Sequence, residues 1–187
     1  MGILSRSRIA ALVTEDIEGF KSSLEKGEEV NKILISPFQY KNLGASTYDL
    51  TIGSKYVSLR GKPSLYSLSP GETLKIRPGE TVTLVSREYI GLPENISATV
   101  FGKVSWLEKG LSQISTYVHP GFYGHLIETM TNMTDKTVEL TFGSPFCQMV
   151  FSEVEGATKE ERYMGDRRGQ TEEDLKRLTG PRNPNFV

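Results

Sequence analysis

The sequence predicts a mainly β protein, a sandwich or barrel with a short N-terminal helix and a C-terminal tail. Three observations lead there. Short runs rich in β-branched and aromatic residues recur every 8–12 residues from Leu74 to Val154. Gly, Pro, Asn and Asp punctuate the gaps between them, and the middle of the chain shows no helical period and no internal repeat. Strands this short, separated by turn signals at even spacing, pack as sandwiches or barrels rather than as βαβ units.

The elements follow in order. Ser5 is placed to cap a helix reaching about Val13, with Ile9, Leu12 and Val13 at helical spacing. Asp16 to Lys32 is charged and reads as a solvated connector or a second short helix. Ile33–Ile35 followed by Pro37 reads as a short edge strand. Thr47, Tyr48, Leu50 and Ile52 form a strand bracketed by Gly44 and Gly53, with Asp49 inside it. Val57 to Leu68 reads as a hairpin turning at Gly61–Pro63. Leu74–Ile76 and Thr81–Ser86 flank the Pro78–Gly79 turn signal. Tyr89–Pro93 reads as a turn, and Ile96–Phe101, Ile114–Val118, His125–Thr131, Thr137–Thr141 and Phe146–Val154 as strands. Residues 156–187 change character, being charged and poor in aliphatics; Thr171 could cap a turn or two of helix ending before Gly180.

Composition narrows the function classes. The 187 residues suffice for a single domain with its own core, 1–187. A net charge of −1 gives no overall electrostatic attraction to nucleic acid or an anionic membrane. No run of about 18 apolar residues and no leader pattern is present, so no membrane partner is expected. The single cysteine, Cys147, cannot form an internal disulfide, which fits a reducing, cytoplasmic setting. It also excludes the zinc deaminase signature, which needs two thiolates in P-C-x-x-C.

Chemistry concentrates between Thr99 and Phe151. Two glycine-punctuated loops, FGKVSWLEKGL and VHPGFYGH, lie between β-branched runs, and a third run ends in Gly143–Pro145 before FCQMVF. Glycine lets backbone N–H groups approach a ligand closely. Lys103 and Ser105 add a cation and a hydroxyl to the first loop, a pairing suited to phosphate and equally at home in an ordinary turn. Asp49 in an apolar strand and Gln148 between Cys147 and Met149 are polar groups that need partners, within the chain or across subunits.

The order of these pieces resembles the dCTP deaminase/dUTPase superfamily. G-K-x-S-x-x-x-x-G-L is followed by P-G-F-x-G-H-L, an Asn, then G-x-P-x-x-Q-x-V-F. Upstream, LSRSRIAALV, ISPFQYKNLGASTYDLTIG and LKIRPGETVTLVSREYIGLPENISATVFGK resemble the family's opening helix and its next two motif runs. YMGDRRGQ resembles its tail. The leading helix and the form of the tail place the resemblance on the deaminase branch. It implies a dUTPase-like β-clip fold and a homotrimer with sites shared between subunits. It also implies a deoxynucleoside triphosphate substrate carrying its own Mg2+. Lys103, Ser105, Phe122 and Gln170 then contact substrate, Gln170 from a mobile tail, 156–187, that closes as a lid. Asp49 and Gln148 take structural or interface roles. A frayed tail is the competing reading of 156–187.

The catalytic positions depart from the family pattern. Hydrolytic deamination at C4 of cytosine needs a group that takes a proton from water and returns it to the leaving amine. The family's glutamate stands three residues before the Asn that follows the PGF loop. Counting from Asn132, that position is Thr129; Glu128 is one residue off, and one residue on a regular strand reverses the face. A bulge would rescue Glu128. The dUTPase-type base corresponds to His119, which needs no bulge and can serve at neutral pH. Since Thr129 cannot act as a base, weak deamination carried by His119 or Glu128 is expected. In the phosphate loop Lys103 lacks the fork of an arginine, Val104 lacks a hydroxyl, and Glu108 reverses a charge. Three functions stay open: a dCTP deaminase forming dUTP, with dUTP hydrolysis as a second activity; a nucleotide-binding or regulatory homologue that keeps the trimer without the reaction; and a β-domain used only for assembly.

Overall fold

The computed structural model describes residues 2–180. The expected N-terminal helix is present as α1 (Arg6–Leu12), with the Ser5 hydroxyl accepting from the Arg8 N–H and Ile9 fully buried. β1 (Val13–Thr14) follows, then α2 (Ile17–Lys26), so the charged segment contains a helix. Asp16 caps α2 by accepting from the Gly19 N–H at 2.9 Å, and Gly27 ends it in the left-handed region. Only Phe20 and Leu24, one turn apart, face inward, a stripe too narrow to read among so many charges. They pack with Val30, Leu34, Tyr89 and Tyr123 in a small satellite core.

β2 (Ile33–Ser36), β3 (Thr47–Ser58), β4 (Ser64–Ser67) and β5 (Thr73–Ile76) come next. They are followed by β6 (Thr81–Gly91), β7 (Ile96–Gly102), α3 (Val104–Leu107), β8 (Leu111–Gln113) and β9 (Thr116–Val118). β10 (Tyr123–Asn132), β11 (Val138–Thr141) and β12 (Pro145–Glu153) complete the strands. The pairings run β1-β2-β6-β3-β12-β7-β9, with β10 joining β6 to β8, β4 on β3, and β5 paired with β11 separately. Every pair is antiparallel except β1 with β2. The fold is therefore mainly β, as expected, and it is a mixed sheet rather than a closed barrel. Its main core runs from Ile9 through Tyr48, Ile52, Leu84, Phe146 and Phe151, all fully buried. Among the described residues no helix is long and apolar enough to cross a membrane.

Three expectations need correction. β2 is not an edge: it lies between β1 and β6, and Ile33, Leu34 and Ile35 are fully buried. Tyr89–Pro93 is not simply a turn, because β6 continues to Gly91, paired with both β2 and β10. A Cβ at Gly91 would lie 2.5 Å from the Phe20 ring, so glycine is what lets α2 sit on this strand. The expected strand Ile114–Val118 is split, with Ile114 85% exposed at the break between β8 and β9.

Residues 156–180 pack along the body, whereas 181–187 of the expected tail lie outside the described residues. Thr171 opens a 3-10 helix, Glu172–Leu178, as expected, its N–H donating to Asp174 Oδ2 at 2.6 Å. Leu175 is fully buried against Val57 and Val85. Gly169 N–H donates to the Tyr123 carbonyl at 2.7 Å, and the Arg162 guanidinium to the Leu24 carbonyl at the end of α2 at 2.7 Å.

Candidate functional site

From Gly124 onward β10 alternates, with Leu126, Glu128, Met130 and Asn132 facing inward. Thr129 faces outward, where its hydroxyl lies 3.0 Å from that of Thr83. The register irregularity is in the partner strand. His125 pairs with Tyr89 and Ile127 with Val85, so three residues of β6, Ser86–Glu88, stand opposite Leu126 alone. Ser86 holds this bulge together: its hydroxyl donates to the Glu88 carbonyl at 2.7 Å and accepts from the Leu126 N–H at 2.9 Å. Thr129, the position that the count from Asn132 reaches, is thus exposed on the opposite face. The carboxylate that faces inward is Glu128, in register with Leu84.

Glu128 is 2% exposed. Thr116, at the start of β9, donates its hydroxyl to Glu128 Oε1 at 2.7 Å, and Gln113, at the end of β8, donates its amide N–H to Oε2 at 3.1 Å. Burial pushes the carboxyl up to about 7, against the pull of those two donors. A carboxyl that exchanges its proton near neutrality suits general acid–base work. Glu88 is a second buried carboxyl, also raised by burial. It is engaged by the Thr51 N–H at 2.8 Å and the Thr51 hydroxyl at 2.7 Å, joining β6 to β3.

Glu128 lines a pocket of about 220 Å³ with Thr116, His119, Phe122, Tyr163, Arg167 and Gln170. Four of the sequence candidates, His119, Phe122, Glu128 and Gln170, thus come together. His119 is exposed, its ring stacked on Tyr163 at 5.4 Å and 8° and met edge-on by Tyr117 at 4.9 Å. Phe122 is 6% exposed, its ring 6.3 Å from Tyr163. Gln170 is held at both ends: its Nε2 donates to the His125 carbonyl at 2.8 Å, and its Oε1 accepts from Arg177 at 3.2 Å. A Cβ at Gly124 would lie 2.7 Å from the Gln170 nitrogen, so glycine is required for the tail to lie this close. Gln113 and Thr116 were not legible as site residues, because nothing in a three-residue strand announces which carboxylate it faces.

The remaining candidates lie outside this pocket. Lys103 is ion-paired with Asp49 within the chain, which answers the need of the strand carboxylate for a partner. Gln148 stands in register with Asp49 on one side and Phe101 on the other. Ser105 is exposed on α3, near Trp106, whose indole N–H donates to the Pro145 carbonyl at 2.8 Å. Among the described residues no group of three or more His, Cys, Asp or Glu is placed to hold a metal ion.

Residues 3–154 match the family model described as dCTP deaminase-like. The dCTP deaminase of Thermococcus kodakarensis is 34% identical over 140 residues, covering 74% of this chain and 86% of that protein. The dCTP deaminase of Pyrococcus furiosus is 29% identical over 140 residues, covering 75% and 87%. The dUMP-forming dCTP deaminase of Aquifex aeolicus is 27% identical over 157 residues, covering 79% and 84%. Among solved structures, the 2'-deoxycytidine 5'-triphosphate deaminase of Agrobacterium tumefaciens superposes with a TM-score of 0.62 at 18% identity. That match covers 80% of this chain and 47% of the Agrobacterium chain, and it bears on the fold. With the match spanning most of the chain from α1 to the end of β12, the chain belongs to the dCTP deaminase-like family.

Proposed function

We propose that this chain is a hydrolytic deaminase of deoxycytidine nucleotides, converting dCTP to dUTP and ammonia without zinc, with Glu128 as its proton-transfer group. One observation carries the reading: a 2%-exposed carboxyl facing a pocket, held by two donors, and raised by burial to about 7. The chemistry balances on one carboxylate. Glu128 takes a proton from water as the oxygen bonds to C4, and delivers it to N3. It then takes the hydroxyl proton and delivers it to the amine, which leaves as ammonia as C4=O forms. The expectation of weak activity rested on Thr129, and the inward face of Glu128 removes that argument. His119, exposed and stacked on Tyr163, is better placed to brace the tail than to activate water.

The pocket beside Glu128 is small, and Lys103 and Ser105 do not line it. We take these loops to complete a neighbouring subunit's site in a homotrimer, with the nucleotide arriving as its magnesium complex. Exposed apolar side chains gather in one stretch around the loop, including Val104 (62%), Ile114 (85%) and Tyr117 (53%), a surface suited to burial between copies. Light scattering at micromolar concentration should therefore give about three times the 20.8 kDa chain mass. A 20.8 kDa species would remove the shared site.

The tail is taken to work as a lid. The contacts of Gln170 and Leu175 hold it to the body, and a nucleotide reaching Arg167 would add to them. Amide exchange in 156–180 should slow on adding the nucleotide that binds. Equal exchange with and without bound nucleotide would count against a lid.

Incubation with each deoxynucleoside triphosphate, reading ammonia and phosphate release separately, tests the function. Ammonia from dCTP supports it, and added phosphate release assigns the second hydrolysis. The pairing of Lys103 with Asp49 and the charge of Glu108 favour one other reading, a nucleotide-binding homologue without turnover. Tight dCTP binding with no product would establish that reading instead.

A further inference from the structure

Gln113 holds Glu128 from behind, outside the pocket lining, and half of its amide is unused. Its N–H donates to Glu128 Oε2 at 3.1 Å, while its Oε1 is buried and accepts no hydrogen bond. The thiol of Cys147, fully buried, lies close enough to interact with the Gln113 amide. A buried acceptor left unpaired costs stability, and native structures leave few of them.

The two ends of an amide are nearly the same size and shape, so a half-turn exchanges them without moving other atoms. We propose that Gln113 is a positioning residue that hydrogen-bonds Glu128 in both of its protonation states. Toward the ionised carboxylate it presents the N–H. Toward the protonated carboxyl it presents Oε1, which then accepts the new O–H. Because Oε1 has no partner to give up, the turn costs that oxygen no hydrogen bond. Thr116 can follow the same change, since a hydroxyl rotates to donate or accept. Glu128 thus stays in one place while its proton comes and goes, as a group that takes and returns protons within one turnover must. The proposal rests on the deaminase reading of the site.

Gln113→Met matches the length of the side chain and removes both ends of the amide. The expected kcat is about tenfold lower with KM unchanged, the loss from one missing hydrogen bond in the reacting state. The bond to the ionised form is the stronger of the two, so the acid limb of the pH–rate profile should move up by about half a unit to one unit. Nuclear magnetic resonance of the labelled Glu128 carboxyl should show the same upward move without any substrate. In wild type the Gln113 side-chain amide signals should titrate together with that carboxyl, and in Glu128→Gln they should not titrate. If wild type releases ammonia and the variant keeps the wild-type kcat and profile, Gln113 has no positioning role. A carboxyl titration unmoved by Gln113→Met overturns the proposal by itself, whatever the activity. If the titration moves but wild type with bound dCTP never releases ammonia, the deaminase reading fails, and this role fails with it.

Discussion

Replacing Glu128 by glutamine is expected to lower kcat for dCTP by about 10²–10⁴-fold, the usual worth of a positioned general acid–base group. The substitution keeps the shape of the side chain. Glutamine Oε1 can still accept from Thr116, and the Gln113 amide can turn to meet the new N–H2, so both contacts at 2.7 and 3.1 Å survive. Nucleotide affinity by titration calorimetry should therefore change little. His119→Asn should cost less than about tenfold, because it loosens a ring stack and removes no proton carrier. Turnover by Glu128→Gln within threefold of wild type would place the base elsewhere. Loss of turnover together with loss of nucleotide binding would point to a collapsed pocket instead.

The same substitution should also change how stability depends on pH. The ordinary glutamate value is 4.5 and burial raises Glu128 to about 7. Between these values the folded chain holds a proton that the unfolded chain has released. Linkage then makes the folded state lose stability as pH rises through this window. At about 1.4 kcal/mol per unit, the two and a half units amount to about 3 kcal/mol, complete above pH 7. Urea unfolding of wild type and Glu128→Gln from pH 4.5 to 8 isolates this effect, because Glu88 and every other carboxyl are common to both. The glutamine variant should gain on wild type as pH rises and be the more stable protein at pH 8. A stability difference that stays flat across the window would mean that Glu128 titrates near 4.5 in the folded state. Such a gain on removing a buried carboxyl is what a site that gives up stability for chemistry should show.

Much of the fold was written locally. Ser5 and Thr171 open the helices they were expected to open, and the Gly61–Pro63 turn joins β3 to β4 as its residues suggest. The motif order from α1 through β12 carried the family membership, and Phe122 and Gln170 do line one pocket. The caps and the turn depend on side chains acting on their own backbone or on their immediate neighbours, so they are legible in one dimension. Helix α2 was half legible, because its inward stripe is only Phe20 and Leu24.

What tertiary structure alone decided is which carboxylate faces inward. The sequence determined that a glutamate lies within the strand after the PGF loop, a loop histidine before it, and glutamine in the tail. Counting three residues back from Asn132 reached position 129, whereas the regular alternation of β10 puts Glu128 on the same buried face as Asn132, and only the folded sheet shows that this face is the inner one. Nor could composition show that Leu175 would be fully buried and tie a polar tail to the body. The raised proton affinity of Glu128 is decided in the same way. It comes from burial and from donors on β8 and β9, elements that meet only when the chain has folded. Propensity and periodicity act through a few residues at a time, while desolvation and strand register are properties of the assembled sheet.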